Sequence, residues 1–90
     1  MYILAHHQIN KPEEFLATAQ SVTTFPEGFK LHAFLPATSH KTATCFWEAP
    51  GLASLENFLE PILGDTSVNT YVQVDESIAM GIQKEEPAVM

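Results

Sequence analysis

A chain of 90 residues has room for one domain. Eleven acidic against four basic residues give a formal net charge of −7, which repels phosphate backbones and anionic lipid and so argues against nucleic-acid and membrane-surface partners; otherwise such acidity mostly serves solubility. The single cysteine, Cys45, excludes an internal disulfide, and a 46% hydrophobic content is generous for a domain this small, so a homodimer that buries the surplus is the simplest expectation.

The chain opens directly on the strand-like Tyr2-Ile3-Leu4-Ala5, with no basic n-region or apolar signal segment. No apolar run reaches bilayer-spanning length, so a cytoplasmic protein is the default expectation. Loose alternation predicts a first strand over Tyr2 to Ile9. Asn10 as a cap candidate, then Pro12, Glu13 and Glu14, mark a helix start. Phe15, Leu16, Ala19 and Val22 continue it at helical spacing, and Pro26-Glu27-Gly28 ends the region as a turn.

Phe29 to Leu35 reads as a second strand, Pro36 to Lys41 as a polar loop, and Thr42 to Ala49 as a third strand rich in β-formers. Pro50-Gly51 breaks it. Leu52, Leu55, Phe58, Leu59, Ile62 and Leu63 form the apolar stripe of a second helix, closed by Gly64, with Pro61 expected to kink or shorten its last turn. Val68 to Val74 alternates as a fourth strand, with Val68, Thr70, Val72 and Val74 opposed to Asn69, Tyr71 and Gln73. Asp75 is a candidate cap for a short turn carrying Ile78, Ala79 and Met80.

Strand, helix, strand, strand, helix, strand is the ferredoxin-like, or split βαβ, order. The expected α+β fold is a four-stranded antiparallel sheet with two helices on one face, pairing with a second copy as a dimeric α+β barrel. Residues 1–82 form this domain and 83–90 a polar C-terminal tail. Within the sheet, the first and third strands are expected side by side and parallel, with the second and fourth at the edges. The second strand has apolar groups on both faces, which calls for a cover over the face the helices leave open.

The segments Leu31-His32-Ala33-Phe34 and Lys41-Thr42-Ala43-Thr44-Cys45-Phe46-Trp47-Glu48-Ala49-Pro50 resemble the small nickel-binding ferredoxin-like proteins within the dimeric α+β barrel superfamily. The shared pattern is a Leu-His pair, a short polar loop, and a Cys followed by an aromatic-Glu-Ala-Pro segment opening the second helix. It covers about the central third of the chain. The resemblance implies a dimer and, in at least one branch, a divalent metal site. The family's metal ligands do not map residue by residue here, and His6-His7 stands where a charged pair is expected.

With strands one and three running the same way, His6-His7, His32 and Glu48 are expected at one end of the sheet. Alternation sends Leu31, Ala33 and Leu35 toward the helices, and Lys30, His32 and Phe34 to the other face. If Cys45 and Trp47 also face the helices, Thr44, Phe46 and Glu48 join His32. His6 is placed with them and His7 toward the helices. His6, His32 and Glu48 then line a pocket whose two imidazoles and carboxylate suit Zn, Ni or Fe. The same trio suits general acid–base work, or consists of strand residues bonded only to neighbours. Tyr2, Phe34, Phe46 and Tyr71 line an apolar ligand cavity or a packed dimer seam. Cys45 reads as a small core residue unless a His or a helix N-terminus lies beside it, and His40 as a solvated loop residue.

Three functions fit. One is a dimeric binder of a divalent metal or small ligand, with no organic cofactor indicated. Another is a cofactor-free monooxygenase or isomerase with a His or Glu of shifted pKa. The last is a structural or regulatory dimer. The fold hosts many functions and does not choose among them.

Overall fold

Alternating apolar side chains over Tyr2–Ile9 form strand β1, the sheet's backbone of pairing contacts, and the computed structural model describes residues 1–82 around it. Helix α1 (Pro12–Ser21) follows, then β2 (Lys30–Pro36), β3 (Thr42–Glu48), α2 (Leu52–Leu63), a single 3-10 turn (Gly64–Thr66) and β4 (Ser67–Gln73). The strand order is β2-β3-β1-β4, with every neighbouring pair antiparallel. This is the ferredoxin-like α+β fold. The tail at 83–90 lies outside the described residues.

The expected parallel pairing of the first and third strands is corrected: β1 and β3 run antiparallel, with Tyr2 opposite Glu48 and His6 opposite Thr44. The reason is topological. Each helix crosses over between strands that are parallel but not adjacent, β1 with β2 and β3 with β4. The tight β2–β3 loop then reverses β3 relative to β1.

Helix α1 begins one residue later than the cap expectation. Lys11 occupies the N-cap position without a side-chain cap, and Pro12 takes the first turn, where its missing N–H costs nothing. Asn10 instead uses its backbone N–H, with that of Lys11, to bond the Thr66 carbonyl at 2.8 and 3.1 Å, tying the start of α1 to the 3-10 turn that follows α2. Pro61 is tolerated in the last turns of α2. Gly64 ends that helix at φ 55°, ψ −132°, a conformation open essentially to glycine alone, and its N–H bonds the Glu60 carbonyl. After β4, Asp75 does cap a single turn: its carboxylate accepts from the Ser77 N–H and hydroxyl at 3.0 and 2.6 Å. Ile78 and Met80 on and after that turn stay exposed.

The core lies between the helices and the inner face of the sheet. Ile3, Phe15 and Leu55 are its largest fully buried side chains, joined by Ala5, Cys45, Trp47, Leu59 and Leu63. Alternation along β1 and β3 works as the sequence predicts. Along β2 it does not, because a bulge falls between Leu31 and Ala33: Leu31 pairs with Trp47, yet Ala33 already pairs with Phe46. The extra residue reverses the faces beyond it. Phe34 therefore packs inward, 6.2 Å from the Phe15 ring, and Leu35 points outward, 61% exposed. The expected faces of Phe34, Ala33 and Leu35 are corrected accordingly.

Candidate functional site

Two clusters of chemically capable side chains emerge, one on each face of the sheet. On the open face, the bulge projects His32 over β3. Its Nε2 meets Glu48 Oε1 at 3.1 Å, and its ring lies 5.6 Å from Tyr2 and 5.1 Å from Phe46. Tyr2 and Phe46 themselves stand 5.6 Å apart. The His32 side chain is thus largely shielded by aromatics, while the Glu48 carboxylate is 43% exposed.

His6 shares this face but not this cluster. It sits opposite Thr44, bonded to the threonine hydroxyl at 3.1 Å and exposed. Four residues of strand separate it from the Tyr2–Glu48 pair, or about 13 Å at the usual strand rise. The antiparallel pairing sends it to the other end of the sheet. The structure therefore brings together His32 and Glu48 and not the expected trio. Among the described residues, no three His, Cys, Asp or Glu side chains are grouped to hold a metal ion. The aromatic set divides too. Tyr2 and Phe46 are on the open face, whereas Phe34 and Tyr71 pack against the core on the helix side. His40 is exposed in its loop.

The second cluster lies on the covered face, where β1, β3 and β4 bring His7, Cys45 and Asn69 into line. His7 is 3% exposed and packs 5.3 Å from the Phe15 ring. Its Nδ1 is 2.7 Å from Asn69 Oδ1, and its Nε2 is 3.3 Å from Cys45 Sγ. Hydrogen-bond bookkeeping assigns the protons. Asn69 Nδ2 donates to Glu60 Oε2 at 2.8 Å, so Oδ1 is the accepting atom, and it also accepts from the Ser67 hydroxyl at 2.7 Å. His7 Nδ1 must then carry a hydrogen, and in neutral imidazole that leaves Nε2 as the acceptor for the Cys45 S–H. Glu60 also accepts from the Tyr71 hydroxyl at 2.6 Å.

Burial keeps this cluster uncharged. It lowers the His7 pKa below its usual value, only partly opposed by the Asn69 bond. It also raises the Cys45 thiol to about 12. The Trp47 indole, two residues further along β3, slightly offsets that rise. Among the described residues, this Nε1 is the one buried side-chain polar atom left without a partner. A buried donor in that state costs roughly 1–3 kcal/mol.

These groups border a cavity of about 180 Å³ between the sheet and both helices. Phe15, Ala19 and Val22 wall it from α1 and its end, Leu59, Ile62 and Leu63 from α2, and Leu31, Phe34, Cys45 and Trp47 from the sheet. No Asp, Glu, Lys or Arg lines it.

Sequence reading placed Cys45 in the core and His7 on the inner face, but found neither their contact nor Asn69. A signal existed: Asn69 falls on the same face as Tyr71, opposite Val68, Thr70 and Val72, so a polar amide was bound for the covered side and needed partners there. No protein-family model, curated protein or solved structure matches the chain. No helix among the described residues is long and apolar enough to cross a membrane.

Proposed function

We propose that this protein binds a small, uncharged, largely apolar molecule in the cavity between its sheet and its helices. The observation that carries this reading is the apolar space of about 180 Å³ between sheet and helices, lined by both helices and the sheet with no charged side chain in its wall. A dry apolar cavity of ~150 Å³ engineered into another protein holds benzene, so the ligand is about one aromatic ring in size. Apolar walls with one or two converging polar groups are the usual composition of such sites. Toluene is the simplest probe. It is expected to raise the melting temperature in a saturable, concentration-dependent way, because a ligand bound only by the folded state stabilises it. Ala19→Phe fills the space and removes that response. A melting temperature indifferent to toluene in the native protein rejects this function.

A second reading is favoured by the open face. There His32 and Glu48 stand 3.1 Å apart, on the same face of the sheet as exposed Leu35, Val68 and Val72. A second copy laid on this face by a twofold axis would cover those side chains and form a dimeric α+β barrel. It would also bring a second His–Glu pair to the first, giving up to four donors of a kind that suits zinc or nickel, the latter being the metal of the family the sequence resembles. Calorimetric titration of metal-stripped protein with Ni²⁺ tests it. One metal per dimer, lost in His32→Ala, supports the reading, and absence of binding ends it.

A further inference from the structure

We infer that the inner cavity takes an aryl-alkyl amine, with the ring among its apolar walls and the ammonium group outside them, at the last turn of α1 where the cavity opens. This rests on the ligand-binding reading above and gives that apolar ligand a polar end of stated charge.

The mouth can be located from burial. Of the described residues that line the cavity, Gln20 alone is exposed, and the others are buried or half-buried. Gln20 belongs to the last turn of α1, which also gives Ala19 to the wall, and Val22 follows as the C-cap. A helix end of this kind turns its last carbonyls outward and carries partial negative charge. Here that end is left bare. The Ser21 hydroxyl donates back to the Thr18 carbonyl at 2.7 Å. Among the described residues, no backbone N–H of another element bonds the carbonyls of Ala19, Gln20 or Ser21. The last turn holds no basic side chain.

The charge of the ligand's end follows from what surrounds that mouth. The chain has four basic residues, all lysines, against eleven acids, and no lysine lines the cavity. Lys11 sits at the far end of α1, paired with Asp65 at 2.9 Å. Lys30 precedes the wall residue Leu31 but lies opposite Glu48, on the open face. A carboxylate at the mouth would meet a negative helix end in an acidic chain, with no cation beside it. An ammonium instead offers three N–H donors to carbonyls that lack them. The size agrees as well. A space of about 180 Å³ holds one ring, and a single methylene then carries the nitrogen to the mouth. There it keeps part of its hydration and avoids the cost of a buried charge.

Benzylamine, benzyl alcohol and phenylacetate share a ring and a methylene and differ in the charge of the end group. Each is used to displace methyl-labelled toluene from the protein, followed by carbon NMR. At low salt benzylamine is expected to bind about tenfold more tightly than phenylacetate, with the alcohol between them, and 1 M NaCl to narrow the gap. Thr23→Lys, at an exposed position just past the helix and outside the wall, sets a cation at the same helix end. It is expected to weaken benzylamine about threefold and to leave toluene binding as it was. If toluene binds but phenylacetate displaces it as well as benzylamine does, the amine assignment is overturned and the cavity site stands. The same holds if benzylamine responds neither to salt nor to Thr23→Lys. If none of the four compounds binds, both readings are overturned.

Discussion

At the scale of single residues, the inner face holds a chain of partners running from Glu60 through Asn69 and His7 to Cys45. Its electrostatics set a pH dependence. Burial lowers the folded-state pKa of His7 below the unfolded value of 6.5, against pulls from Asn69 and Glu60 and with a push from His6. The unfolded state therefore binds the proton first on acidification. The His7 contribution to stability is complete above pH 6.5 and is lost as pH falls toward the lower folded pKa. Urea midpoints measured between pH 7.5 and 5 should fall with acid, and His7→Gln should flatten that slope. An unchanged slope in the variant would place the acid sensitivity elsewhere. Cys45, raised to about 12, holds almost no thiolate at pH 8. It should resist dithionitrobenzoate in native protein and react promptly in urea; fast reaction of the native form would contradict a buried thiol. The imidazole should show the Nδ1–H tautomer in its ¹⁵N spectrum, and Asn69→Ala should admit the other tautomer.

At the scale of elements, the β2 bulge decides what faces what. Without the extra residue, His32 would still face outward, but Phe34 would leave the core and Leu35 would enter it. Simple alternation therefore predicts His32 correctly and Phe34 wrongly. Periodicity made both helices, all four strands and the inner placement of Cys45 and Trp47 legible, since each depends on local spacing. The His7–Cys45–Asn69 contact was not legible, because it depends on three strands meeting in register. The expected His6–His32–Glu48 trio failed to assemble for the same kind of reason: one strand direction, misassigned, relocates His6 along the sheet. Two element-level predictions follow from the helix α2 environment. Leu55→Ala, at a fully buried site, should cost about 2–5 kcal/mol in urea unfolding. Gly64→Ala meets no neighbour within 4 Å, so its cost is conformational, about 1–3 kcal/mol; a neutral result would mean the helix end can relax.

At the scale of the whole molecule, helices cover one face of the sheet, and the other carries Leu35, Val68 and Val72 at 61%, 59% and 49% exposure. Sedimentation equilibrium should give twice the 10.0 kDa chain mass if a second copy covers that face. Val72→Glu, in a chain already at −7, should then return the monomer. A native monomer at high concentration would leave the open face without a self-partner. The inner cavity does not depend on that outcome, since its walls come from one chain. The most direct test of it uses the single tryptophan as an internal reporter, following the one indole N–H cross-peak during a toluene titration. A saturable shift of that peak, with magnetisation transfer from toluene to Phe15 and Leu59, is the predicted result. A cross-peak that stays fixed, with no transfer to those side chains, would contradict a ligand site between the sheet and the helices.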